Sequence, residues 1–104
     1  MAFQKVASLP EIAQGSVKGV NFKGERIAIF NLGGEIFATT DVCTHEGCLI
    51  SDNHIIEDDG KTVECTCHGS HFNIKTGEVT GPPAAESLKT YKVKVEGEEV
   101  FVEV

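Results

Sequence analysis

Residues 43–48 read CTHEGC and residues 65–72 read CTCHGSHF. Each stretch sets a thiol close to an imidazole, Cys43 with His45 and Cys65 with His68, and the nineteen residues Glu46 to Glu64 separate the two pairs. Loops of this composition can each give a cysteine to one iron and a histidine to a second, so that both loops grip both metals and complete two tetrahedra. The same side chains also form a Cys₂His₂ set for a single zinc ion. Zinc modules, however, typically join Cys-x₂₋₄-Cys to His-x₃₋₅-His, whereas here each pair is mixed.

A two-iron, two-sulfide unit held by two thiolates and two neutral imidazoles is uncharged when oxidised and gains one negative charge on reduction. An all-thiolate unit starts two charges more negative, so the histidine-ligated class accepts an electron more easily, at roughly −150 to +300 mV. One-electron transfer is the chemistry that this donor set suits.

Outward from these loops the chain reads as short strands punctuated by glycine. Phe3 to Ala7 and Ser16 to Phe22 begin the series. Ile27 to Phe30 and Ile36 to Thr39 flank Gly33-Gly34, whose freedom to take positive φ suits a tight hairpin. At the far end Tyr91, Val93 and Val95 alternate with charged residues, and Val100, Val102 and Val104 repeat the alternation after Gly97, which predicts a hairpin with one buried face. A helical turn around Pro10 to Ala13 is the only helix expected.

Residues 41–83 differ, holding all four cysteines and all four histidines with short strand-like pieces at Ile55-Ile56, Thr62-Val63 and Phe72 to Ile74. Asp58-Asp59-Gly60 and Thr76-Gly77 can close small hairpins there, and Gly81-Pro82-Pro83 makes a stiff exit. The expectation is an all-β chain of one domain, 1–104, with an antiparallel base from residues 1–40 and 84–104 and a metal-binding subdomain, 41–83, inserted in it.

Composition narrows the function. At 104 residues, one small domain would bury about 60–68% of its unfolded surface, so a metal or covalent staple would help. A hydrophobic content of 40% argues against disorder, and a formal charge of −7 disfavours nucleic acid and anionic membrane as partners. No run approaches the ~18 apolar residues of a membrane span, and residues 1–15 lack the basic start and apolar core of an export signal. A soluble, cytoplasmic protein is expected, in which interleaved cysteines and histidines favour a metal site over a purely disulfide framework.

CTHEGC and CTCHGSHF resemble the two cluster-binding boxes of the Rieske iron–sulfur family, and GPP at 81–83 resembles its proline loop. The resemblance implies the Rieske fold and one 2Fe-2S cluster, with Cys43 and Cys65 on the inner iron and His45 and His68 on the outer, near the surface. It also implies a disulfide between Cys48 and Cys67, which stand where high-potential members carry one. Ser70 resembles the family serine that bonds a cluster sulfide, and Pro82 belongs to the proline loop around the cluster. Phe72 stands where those members have a hydrogen-bonding tyrosine, and Glu46 where quinol-oxidising members have a leucine. The first departure points to a lower potential and the second away from a quinol pocket. His54 and His71 match no ligand position.

The implied function is a soluble one-electron carrier between a flavoprotein reductase and the terminal oxygenase of an aromatic-ring-hydroxylating dioxygenase system. It would be a monomeric or weakly associating component, not itself an enzyme. Alternatives are a Rieske subunit of another oxidoreductase and, in another class, a structural zinc module or iron–sulfur sensor. From Asp41 to Glu64 there are seven acidic residues and one lysine, suited to steering onto a basic docking face.

Overall fold

The computed structural model describes residues 2–43, 48–57, 59–67, 69–81 and 86–104. Three antiparallel sheets account for nearly all of its regular structure. The first joins β1 (Phe3–Ser8), β11 (Glu99–Glu103) and β10 (Val93–Glu96) in that order. The second has the order β2 (Ser16–Phe22), β3 (Glu25–Leu32), β4 (Glu35–Thr40) and β9 (Thr90–Tyr91). The third runs in chain order through β5 (His54–Ile56), β6 (Thr62–Cys65), β7 (Ser70–Asn73) and β8 (Val79–Gly81). This all-β, antiparallel architecture is the one expected. A single 3₁₀ turn, Leu9–Glu11, stands where helix was expected, with Glu11 reaching back to the Ser8 N–H at 3.1 Å.

The run IAIF in β3 organises the interior. Successive strand side chains point to opposite faces, so a strand covered on both sides loses the polar alternation of a half-exposed one. Ile27 and Ile29 join a core with Ala7, Ile12, Ala38, Val100 and Val102. Ala28 and Phe30 join a second core with Cys43, Ile50, Val63, Cys65, Phe72, Ile74 and Leu88. One strand thus serves two cores, one shared with the first sheet and one with the third.

Gly33 and Gly34, at φ +62° and +93°, turn β3 into β4 as the hairpin expectation required. Two features depart from the expected alternation at the C-terminal end. The segment that begins at Thr90 changes sheets at Lys92, with Thr90 and Tyr91 pairing with β4 and Val93 onward with β11. Val95 is also 41% exposed while Val100 and Val102 are fully buried. The buried face of this hairpin is carried mainly by β11, with β10 at the edge of the sheet. Strand β8, which pairs with β7, had no clear sequence signal: two of its three residues are Thr80 and Gly81.

Candidate metal centre

Two loops meet at one end of the third sheet. The first leaves β4, and the Cys43 N–H donates to the Cys48 carbonyl at 2.8 Å while Val42 bridges Leu49, which closes it at its base. The second is the β6–β7 turn, where Cys65 pairs with Ser70 and the Gly69 N–H returns to the Cys65 carbonyl at 2.9 Å. Gly69 sits at φ +84°, a conformation that few other residues adopt without strain. A disulfide between Cys48 and Cys67, with Cα atoms 6.6 Å apart, ties one loop to the other. The Thr66 N–H to the Asn53 carbonyl at 3.1 Å adds a second tie.

Cys43 and Cys65 remain free thiols and are buried, at 4% and 1% exposure. Burial pushes the Cys65 thiol above its ordinary value; a backbone N–H from Cys67 to its sulfur opposes this, while the neighbouring Cys43 thiol and the Glu64 carboxylate add to it. Two thiolates side by side in an apolar core would repel each other and forgo hydration, a cost that a cation bound to both removes. The pair therefore fits a bridging metal centre better than two inert core cysteines. Of the four expected ligands, the structure brings these two together; His45 and His68 lie outside the described residues, as do Glu46 and Pro82.

The flanking residues of interest fall as follows. Ser70 is 1% exposed, and Phe72, fully buried and paired with Val63, shares the core of both free thiols. The other two histidines have partners of their own. His54 Nδ1 lies 2.9 Å from the Ile50 carbonyl. His71 Nε2 sits 3.6 Å from carboxylate oxygens of both Glu57 and Glu64.

Asp41 is not part of the acidic surface to which the sequence reading assigned it. It is fully buried, with Oδ2 2.9 Å from Arg26 Nη2. An acidic residue two positions before Cys43 reads as surface charge only until its cation, fifteen residues upstream, is found. Gly19 in the middle of β2 was the available signal, since a glycine inside a strand often marks close approach by another group.

The sequence model of the Rieske [2Fe-2S] domain matches residues 2–92. The biphenyl dioxygenase ferredoxin subunit of Pseudomonas sp. (strain KKS102) is 40% identical over 103 residues, 99% of this chain and 93% of its own. Among solved structures, the ferredoxin of Sphingomonas yanoikuyae B1 superposes with a TM-score of 0.88 at 28% identity, over 99% of each chain. A chain from the complex of reduced oxygenase and oxidized ferredoxin in carbazole 1,9a-dioxygenase superposes at 0.86 with 32% identity, over 96% of this chain and 91% of its own. These matches remove the zinc reading and identify the cofactor as one Rieske-type 2Fe-2S cluster: the chain belongs to the Rieske [2Fe-2S] domain family.

Proposed function

We propose that this chain is the electron-carrying ferredoxin of an aromatic-ring-hydroxylating dioxygenase system, receiving electrons from a flavoprotein reductase and delivering them to a terminal oxygenase. The observation that carries the reading is a pair of buried free thiols in a chain that aligns nearly end to end with dioxygenase ferredoxins. Support for the oxygenase partner comes from the carbazole system, in which a similar fold is found with an oxygenase. A cytoplasmic setting and a monomeric or weakly associating state belong to the same reading, and no described helix is long and apolar enough to cross a membrane.

In this reading residues 1–40 and 84–104 form the base and residues 41–83 the cluster-binding part of one domain. Cys43 and Cys65 would hold the inner iron, and His45 and His68 the outer. When bound, the cluster supplies a one-electron couple. The protein's own contribution is to orient and insulate that couple. The Cys67 N–H donates to the Cys65 sulfur, which favours its anionic form. Phe72 and Phe30 keep water from the thiolate side, and the Cys48–Cys67 bridge holds the loops at fixed separation. Ser70, at the start of β7, would offer its hydroxyl to the cluster, and Phe72, where a hydroxyl is lacking, would keep the potential below that of tyrosine-bearing relatives.

Electron paramagnetic resonance of the dithionite-reduced protein, with iron and sulfide analysis, tests the ligand set. The expected spectrum has a mean g clearly below that of a four-cysteine cluster, and a four-cysteine spectrum would overturn it. Reconstitution with a dioxygenase reductase and its oxygenase tests the role: product formation should require this chain. Turnover unchanged by replacing His45 or His68 with alanine would refute the assignment.

A further inference from the structure

A single carboxylate fastens both ends of the first cluster loop to the base. Asp41, just past β4, has no exposed surface, and both of its oxygens are occupied. Arg26 Nη2 from β3 reaches Oδ2 at 2.9 Å. Ser51, three residues beyond Cys48, gives its N–H to Oδ1 at 2.7 Å and its hydroxyl to Oδ2 at 2.6 Å. The backbone repeats the connection: the Asp41 N–H bonds the Arg26 carbonyl at 3.0 Å, and the Ile50 N–H bonds the Asp41 carbonyl at 2.7 Å.

A third strand makes room for this junction. A Cβ added to Gly19 in β2 would overlap Ser51 Oγ and lie 2.6 Å from Asp41 Oδ2 and 2.7 Å from Arg26 Nη2. Arg26 also leaves its Nε buried without a partner among the described residues, so the guanidinium is aimed at Asp41 rather than placed for its greatest number of bonds. Burying an ion pair is a poor route to stability, because apolar residues of similar volume often do as well. Such a pair can instead select one geometry, and here that geometry decides where residues 43–50 begin and end.

We propose that Asp41 is a positioning residue for the cluster, holding Cys43 against Cys65 by pinning the loop to β3 through Arg26 and to its own far end through Ser51. The inference rests on the cluster reading above. Ligand loops fixed by such outer contacts retain their metal and keep one ligand arrangement in both redox states. Gly19 permits the contact and Arg26 orients it.

The test uses the cluster-loaded protein and four variants: Asp41→Asn, Ser51→Ala, Gly19→Ala and, as a control in the base core, Val100→Ala. Two readouts are cluster bleaching under a chelator, well below the unfolding temperature, and the line widths of the reduced paramagnetic signal. Asp41→Asn should bleach roughly tenfold faster and broaden the signal. Ser51→Ala and Gly19→Ala should move both in the same direction by less, and Val100→Ala should move neither. Ser51→Ala leaves both charges in place, so it keeps the test open if Asp41→Asn does not fold. Wild-type rates and widths in Asp41→Asn and Ser51→Ala would overturn the positioning role, as would equal bleaching in Val100→Ala. A wild-type protein without a Rieske signal would instead overturn the cluster reading beneath it.

Discussion

The two faces of β3 look onto different chemistry. Ile27 and Ile29 share a core with Val100, Val102 and Ala38, whose buried members are all aliphatic. One residue out of phase, Ala28 and Phe30 share theirs with Cys43, Cys65 and Phe72, where two thiols occupy positions that another domain would fill with valine or leucine. The first core needs nothing but its own side chains. Under the proposed ligand assignment the second would be finished by what its thiols bind, so its stability would be coupled to metal occupancy in a way that the first is not.

The strongest way to break that contrast is to cut the thiol-bearing core. Phe72→Ala removes a fully buried ring that β7 places in the thiol core and should cost about 3–5 kcal/mol in denaturant unfolding, with loss of the cluster's visible absorption at the same midpoint. Retention of the cluster with an unfolding midpoint like that of wild type would mean that Phe72 does not support the thiol core.

Next in size is the disulfide. Cys48 and Cys67 stand nineteen residues apart, and replacing both by serine should cost about 3 kcal/mol through the freedom returned to the unfolded chain. Alkylation of the denatured, iron-free protein without reductant checks the bridge itself. Two labelled thiols, Cys43 and Cys65, are expected; four would remove the disulfide from the account.

On the other face of β3, Ile29→Val should cost about 1 kcal/mol in thermal unfolding and leave the cluster's spectrum unchanged. A spectral change there would show that the two cores are not separable across the strand.

The contrast also explains what could be read from the chain in advance. Strands β1 to β4 follow from short β-prone runs and glycine turns, and the last hairpin from period-two patterning, signals that lie within a few residues of one another. The meeting of Cys43 and Cys65 was accessible through their two similar motifs, because a cysteine beside a histidine in each of two short stretches marks positions that packing alone does not ask for. Pairings across long separations were not accessible. Nothing local marks Asp41 as buried, since its partner Arg26 is fifteen residues away and Ser51 ten. Nor does anything local say that IAIF divides its side chains between two cores, or that the strand holding Tyr91 changes sheets at Lys92.

Tyr91 lies at that change of sheet, outside both sets of fully buried residues, and supplies the smallest test. Burial, with a hydrogen bond from its hydroxyl to Glu25 Oε2 at 2.8 Å and the charge of that carboxylate, pushes its ionisation up from 10.0 to about 12. Because the folded value is the higher one, the contact contributes in full below about pH 10. It is lost between about pH 10 and 12, as the unfolded chain gives up the proton first. The ring is partly exposed, so solvent screening keeps the stability change small. The chain has one tyrosine, so alkaline absorbance titration reads this group alone. Glu25→Gln should lower the midpoint toward 10 with little effect on either core. A wild-type midpoint already near 10 would show that β9 does not hold Tyr91 against Glu25 in solution, and that the seam is looser than the cores it joins.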